Sequence, residues 1–267
     1  MTQTRDLAEF AHDLAREAGA LARMRRERGV AIAATKSTLA DIVTEADREV
    51  EQLIRDRIAR ERPGDGFLGE ESGAEGGTTG LTWVVDPIDG TVNYAYGIPA
   101  YAVSIAVVEG DPDPARWRAL VGVVHNPAID ETFHATMGGG AFLGERRLAV
   151  NAEVGGAGAL LATGFGYDPV RRAEQFAVLE RVLPLVRDIR RIGAASLDLA
   201  SVAAGRIDGY YERGLWPWDH AAGAILVTEA GGRVGGLDGA AASRELTIAA
   251  PPALYDALEA VLRSPDL

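Results

Sequence analysis

The chain has 267 residues, 47% of them apolar, with 39 acidic against 27 basic side chains, a formal net charge of −12 and no cysteine. That apolar fraction excludes a disordered chain, and the length suffices for a large core in one long domain or two short ones. The lack of cysteine excludes disulfide scaffolds, thiolate metal sites and cysteine nucleophiles and permits the cytosol, while the acidity disfavours nucleic acid and anionic lipid as partners.

An acidic chain that handles an anion needs metal ions to invert the local charge. Of the 27 basic residues 26 are arginine, and the sole lysine is Lys36. Residues 1–29 carry charge throughout and hold no apolar run of signal-peptide length. Within them Leu7, Phe10, Leu14, Ala18 and Leu21 recur at helical spacing, and Gly29 supplies the stop. A second helix is expected from Thr44, with Ala46, Val50, Leu53, Ile54 and Ile58 on one face, Thr44 and Asp47 as a capping pair and Pro63 ending it. Strands are expected at 81–85, 101–108, 120–124 and 132–135, punctuated by glycine and proline. Residues 90–108 lack charge, but Asn93, Gly97 and Pro99 argue for a polar loop followed by a buried strand, with no membrane span.

After about Asn151 strands and helices alternate: strand 160–163, helix 172–183, helix 197–204, strand 209–212, helix 221–230 and helix 252–262. Such alternation implies sheets covered by helices. The expected fold class is α/β, with an α+β half over residues 1–150 and an α/β half over 151–267.

Four places put acid where solvated surface charge is not expected. Glu70-Glu71 follows the apolar pair Phe67-Leu68. In Trp83-Val84-Val85-Asp86-Pro87-Ile88-Asp89-Gly90-Thr91 an apolar strand ends in an aspartate, proline forces a turn and a second aspartate follows. Pro87 fixes φ and Gly90 frees the backbone, so Asp86 and Asp89 converge at the strand's exit, and the amides of Gly90 and Thr91 open a segment suited to an anion. Asp219, after Trp216-Pro217-Trp218, stands where the N-cap of the helix 221–230 is expected, and Asp47 lies on the first turn of the second helix. Taken singly, these are an acidic loop, a common turn and two helix caps. Jointly they each end an apolar element, where charge is costly without a counterion. Oxygen-only ligands suit Mg²⁺ or Mn²⁺, and His12, His125, His134 and His220 show no zinc-ligand spacing. His220, beside Asp219, is either a support for that carboxylate or an ordinary core histidine.

These motifs resemble the inositol monophosphatase family of Mg²⁺-dependent phosphatases. The resemblance rests on Glu70-Glu71, on Asp86 through Thr91 and on Trp218-Asp219 with Ala221-Ala222-Gly223. Lys36-Ser37, Asp41 through Asp47, Arg190 with Gly193, and Val227 through Gly232 extend it from residue 36 to 232 in family order. The resemblance implies a layered αβαβα sandwich, commonly a homodimer, acting on a small phosphorylated polyol. It implies that Glu70, Asp86 and the Ile88 carbonyl hold one metal, that Asp86, Asp89 and Asp219 hold a second, and that Glu70 binds a weaker third through water. Thr91, supported by Asp47, would orient or deprotonate the attacking water, and the amides of Gly90 and Thr91 would receive the phosphate. Gly193, Ala194, Ala195 and Glu212 would line the alcohol side, with Asp89 and Asp219 also facing substrate hydroxyls. Lithium would inhibit by occupying a Mg²⁺ site.

Two residues depart from the family pattern: Ala194 lacks the hydroxyl common after the glycine, and Tyr94 replaces a common phenylalanine. Thr91-Val92-Asn93-Tyr94 is similar to the inositol branch, and histidinol phosphate and 3′-phosphoadenosine 5′-phosphate are served by relatives. Fructose 1,6-bisphosphate stays open, because Arg171, Arg172, Arg190 or Arg191 would supply its extra cations. A catalytically silent metal-binding relative is a different class, against which the full acid set argues. Lys36 stands where the family carries a lysine beside its active-site loop, a compact ammonium able to approach phosphate, or else lies on a solvated loop.

Overall fold

The helical repeat starting at Leu7 forms α1 (Thr2–Glu27), and Gly29 adopts positive φ just beyond it in the computed structural model. The structure describes residues 2–29, 32–35, 42–152, 154 and 158–263. An antiparallel pair, β1 (Ile32–Thr35) and β2 (Ile42–Thr44), leads into α2 (Glu45–Glu61), which ends two residues before Pro63. Next come β3 (Gly66–Gly69), β4 (Gly73–Glu75), β5 (Leu81–Asp89), the short α3 (Thr91–Tyr96), β6 (Ala102–Gly110) and β7 (Trp117–Asn126). The first half closes with β8 (Glu131–Thr136), β9 (Gly140–Leu143) and β10 (Arg146–Arg147). The second half runs β11 (Leu160–Thr163), α4 (Pro169–Val182), β12 (Asp188–Arg190), α5 (Ala195–Ala203) and β13 (Gly209–Glu212). It then continues through α6 (Pro217–Glu229), β14 (Arg233–Gly235), β15 (Thr247–Ala250) and α7 (Pro252–Leu262).

Hydrogen bonding orders the large sheet β10-β9-β8-β7-β6-β5-β3-β4 and the small one β12-β11-β13-β15-β14. The large sheet is antiparallel except where β3 runs parallel to β5, and β12, β11 and β13 are mutually parallel. Helices α1 and α2 cover one face of the large sheet, where Leu7, Leu14, Val50 and Ile54 meet Trp83, Val85, Ile105 and Val123. Helices α5 and α6 fill the space between the sheets. Leu199, Val202 and Leu226 contact Val84, Val124 and Phe133 on one side and Ala162, Tyr210 and Ala249 on the other. On the outer face of the small sheet α4 and α7 pack Val178, Tyr255 and Leu258 against Leu161, Tyr211 and Ile248. The result is an αβαβα sandwich. Both faces of β5 are covered, which is why its sequence is apolar without alternation.

Close layering needs small residues at the crossings. At Gly122 of β7 an added Cβ would lie 2.3 Å from the Ile225 side chain and 2.7 Å from the Ala222 carbonyl oxygen of α6. Residues 91–96, expected as loop, form α3, because Gly90 and Gly97 at its two ends both take left-handed conformations that turn the chain in and out of the helix. No helix of the described residues is long and apolar enough to cross a membrane.

His125 of β7 is buried under α1, its Nδ1 2.9 Å from Thr132 Oγ1. Burial, with the charge of Arg16 nearby, lowers its pKa from 6.5 to about 4, against a smaller opposing effect of Asp130. The unfolded chain therefore takes up this proton at a higher pH than the folded one. Stability from a neutral His125 is complete above pH 6.5 and is lost as pH falls towards 4. Urea unfolding at pH 7 and pH 4.5 is expected to show His125→Gln losing less stability on acidification than the parent, by on the order of 2 kcal/mol.

Candidate active site

Two residues three apart on a regular strand face opposite sides of the sheet. Asp86 and Asp89 escape this because β5 bulges between them: Asp86 pairs with Ser104 and Asp89 with Ala102, three steps on β5 against two on β6. Pro87, which has no N–H to give the ladder, occupies the bulge, and the Ile88 N–H turns back to Asp86 Oδ1 at 3.0 Å. Both carboxylates consequently line one cleft of about 540 Å³ with Glu70, Ile88, Gly90, Thr91, Glu212 and Asp219. Glu70 is brought there by the parallel register of β3 on β5, which sets Gly69 opposite Val85, and by its own N–H, which donates to the Val85 carbonyl at 3.3 Å.

Thr91 starts α3, and its Oγ1 lies 3.1 Å from both Asp47 Oδ1 and the Ile88 carbonyl. Asp47 is 1% exposed on α2. Asp47 thus receives the Thr91 hydroxyl from another element; the expected Thr44–Asp47 capping pair involves the Thr44 side chain, which lies outside the described residues. Gly90 has φ 88°, and a Cβ there would stand 2.9 Å from the Ala100 carbonyl and 3.2 Å from that of Gly193, so space and conformation both require glycine.

On the opposite wall Gly193, Ala194 and Ala195 lead into α5. Ala194 is the N-cap and has no hydroxyl to offer, but Asp89 supplies the cap from another layer. Its Oδ1 accepts the Ala195 N–H at 3.2 Å, and its Oδ2 accepts the Ser196 N–H at 2.7 Å and hydroxyl at 2.5 Å. A carboxylate has about four lone-pair directions, so one remains for a further partner. Ser196 was not singled out as a site residue from the sequence; a serine in a helix's first turn is too common to signal a contact with a residue 107 positions away.

Asp219 is the third residue of α6, with Trp216 as the N-cap, instead of the cap that the sequence suggested. Its carboxylate accepts the Trp216 N–H at 2.7 Å, which turns it towards the start of the helix and the cleft. Glu212 ends β13 and accepts the Tyr210 hydroxyl at 2.6 Å. Gly164 leaves it room, since a Cβ there would overlap its carboxylate. His220 does not line the cleft; it is buried against Trp117, and burial lowers its pKa to about 4. Lys36 lies outside the described residues.

Burial pushes the Asp86 carboxyl well above the usual carboxylate range, and the charges of Glu70, Asp89, Asp219 and Asp47 add to it. Burial also raises Asp89 against its three donors, and raises Asp219 with the help of Glu70 and Asp89. Glu212 is pushed up to about 7 by burial, opposed by the Tyr210 hydroxyl and Arg191. Among the described residues no three of these groups already close into a ligand cage. Their chemistry nevertheless fits a hard divalent cation: acid oxygens without thiolate or imidazole, crowded where like charges repel and where a 2+ ion relieves the repulsion.

The layered fold and its acid cleft define a metal-dependent phosphatase. The sequence profile of the inositol monophosphatase family matches residues 3–264, and the chain belongs to that family. Inositol-1-monophosphatase of Mycobacterium leprae is 44% identical over 95% of this chain and 92% of its own. The extragenic suppressor protein suhB of Bartonella henselae superposes with a TM-score of 0.88 at 36% identity, over 97% of this chain and 99% of that one. Mycobacterium tuberculosis SuhB superposes with 0.81 at 43% identity, over 97% and 96%.

Ser196→Ala removes one of three donors to Asp89 and leaves the backbone cap. The expected result is a loss of kcat/KM of about tenfold, since Asp89 loses one of the groups that orient it, with a melting temperature within a few degrees of the parent. Phosphate-release kinetics and thermal unfolding check it together.

Proposed function

We propose that the protein hydrolyses the phosphate monoester of a small polyol, inositol 1-phosphate first among them, with Mg²⁺ as cofactor and Mn²⁺ as a substitute. The observation that carries this reading is the bulge that turns Asp86 and Asp89 into one cleft with Glu70, Asp219 and the Thr91–Asp47 pair. In it Glu70, Asp86 and the Ile88 carbonyl would hold one cation and Asp86, Asp89 and Asp219 a second, with Glu70 reaching a third through water. Bound there, divalent cations supply Lewis acidity at the phosphate and neutralise charge on the leaving oxygen. Thr91 donates its proton to Asp47 and so keeps its lone pairs for the O–H of an attacking water, placing the displaced proton at the Thr91–Asp47 pair. The amides of Gly90 and Thr91 receive the phosphate. Gly193, Ala194, Ala195 and Glu212 border the alcohol, where the Glu212 carboxylate, already holding the Tyr210 hydroxyl, accepts hydrogen bonds from substrate hydroxyls.

We further propose that residues 1–150 and 151–267 act as one catalytic unit in the cytoplasm, and that two copies associate. Support for association comes from the exposed apolar side chains Val170, Phe176, Leu183 and Leu185 on and after α4. With a net charge of −12, nucleic acid and membrane surfaces are not expected partners.

One observation favours a second reading. Arg171, Arg213 and Arg244 line the same cleft without an ion pair among the described residues. The Arg213 guanidinium donates to the Glu245 carbonyl at 3.1 Å, and that of Arg244 lies 3.6 Å over the Trp216 ring. A substrate with a second phosphate, such as fructose 1,6-bisphosphate, would pair with them.

A phosphate-release panel decides between these readings. Inositol 1-phosphate is expected to have the highest kcat/KM with Mg²⁺, ahead of fructose 1,6-bisphosphate, histidinol phosphate and 3′-phosphoadenosine 5′-phosphate. A lead for the sugar bisphosphate would establish the second reading instead. Asp89→Asn is expected to remove Mg²⁺-dependent turnover by at least ~100-fold in a protein that stays folded, because the acid is a ligand as well as a cap. Millimolar lithium is expected to inhibit the parent.

A further inference from the structure

Helix α2 presents three polar side chains at a spacing of four residues, Asp47, Glu51 and Arg55, and all three reach towards the cleft's supporting loops. Residues at this spacing stack along one side of a helix. Asp47 receives the Thr91 hydroxyl. One turn on, Glu51 Oε2 accepts the backbone N–H of Glu71 at 2.9 Å. Another turn on, Arg55 donates to Ser72 Oγ at 2.5 Å and to Glu75 Oε2 at 2.6 Å, its guanidinium 4.9 Å from the Phe67 ring centroid. The last two contacts grip the turn between β3 and β4, and the residue that turn carries into the cleft is Glu70.

Glu51 is only 2% exposed, so its charge is withdrawn from water, and such burial is costly unless the acid is held in place by donors. The chain also makes room for it. At Gly69 φ is ordinary, yet a Cβ would lie 2.4 Å from the Phe67 ring, 2.5 Å from Glu51 Oε2 and 2.8 Å from its carboxyl carbon. The glycine immediately before Glu70 thus leaves space that the Phe67 ring and the Glu51 carboxylate share. Nothing in the reaction asks Glu51 to touch substrate, and it does not line the cleft. We propose that Glu51 is a positioning residue: by binding the Glu71 N–H it fixes the turn that presents Glu70, and so sets the affinity of the site for its divalent cation. The inference rests on the reading of Glu70 as a metal ligand.

The test is the dissociation constant of Mn²⁺, followed by titration calorimetry or by the spin signal of the free ion, with full-length protein. Glu51→Ala loses the acceptor, and Glu51→Asp keeps the charge but falls one methylene short. Both are expected to bind Mn²⁺ about 10- to 100-fold more weakly than the parent, the range usual for groups that orient a metal ligand. Glu51→Gln, whose amide oxygen still accepts the N–H, is expected to stay within about threefold. Gly69→Ala crowds both Phe67 and Glu51, and is expected to weaken Mn²⁺ as Glu51→Ala does, also when Phe67→Leu has removed the ring. Raised Mg²⁺ should restore kcat in the weakened variants with little change in KM for the phosphate ester. Folded variants whose melting temperatures fall while Mn²⁺ affinity stays at the parent value would overturn the proposal and leave Glu51 a structural residue. If Glu51→Ala does not fold, Glu51→Asp decides in the same way. Glu70→Gln is the control for the underlying reading: unchanged Mn²⁺ affinity there overturns the ligand assignment itself, a different failure from unchanged affinity at Glu51 alone.

Discussion

Between Asp86 and Asp89 the fifth strand runs one residue longer than its neighbour, and that surplus makes the cleft. Without it, one carboxylate would lie under α1 and α2 and the other between the sheets, each buried without a partner. With it, the two emerge together. Gly90 can then turn the chain into α3, Thr91 falls within reach of Asp47, and Asp89 meets the start of α5. Proline is suited to this place because it removes the donor that would hold the strand in register.

Charge in the site is arranged in depth. Polar side chains that face the cleft are backed by groups behind them: Asp47 behind Thr91, Glu51 behind the Glu70 turn, Ser196 and the first amides of α5 behind Asp89, Tyr210 behind Glu212. Each backing group fixes a direction that a solvated side chain would sample freely. The acid excess in the composition, at odds at first with an anionic substrate, is in part this double layer.

Much of the fold was legible because its helices and strands obey simple periods. Strands 160–163 and 209–212 and helix 252–262 agree with β11, β13 and α7 to the residue, each bounded by glycine or proline or by an abrupt change of pattern. The short elements were not legible. β3 and β4 are glycine-rich and three or four residues long, and α3 is stabilised by its glycine ends and its packing more than by its composition. Motif residues of the site could be read where acid ends an apolar run, as at Asp86 and Asp89. Asp219 stands three positions inside the cap expected of it, because Pro217 and Trp218 begin the helix earlier than its apolar face does. Ser196 and Glu51 escaped for a different reason: their partners lie 107 and 20 residues away, and only the stacked layers reveal that they meet.

The cap that Asp89 provides to α5 has a mechanical side. The strand bearing the acids and the helix bordering the alcohol belong to different layers, and in many two-walled clefts such parts move on a hinge. Here three hydrogen bonds accepted by one carboxylate join them, and Asn93 adds a fourth by donating to the Ile192 carbonyl at 2.9 Å. The floor and that wall are therefore bonded directly to each other. Room for a larger alcohol would come from the other rim, where the Trp216 N–H is spent on Asp219 and the Arg244 guanidinium lies over the Trp216 ring.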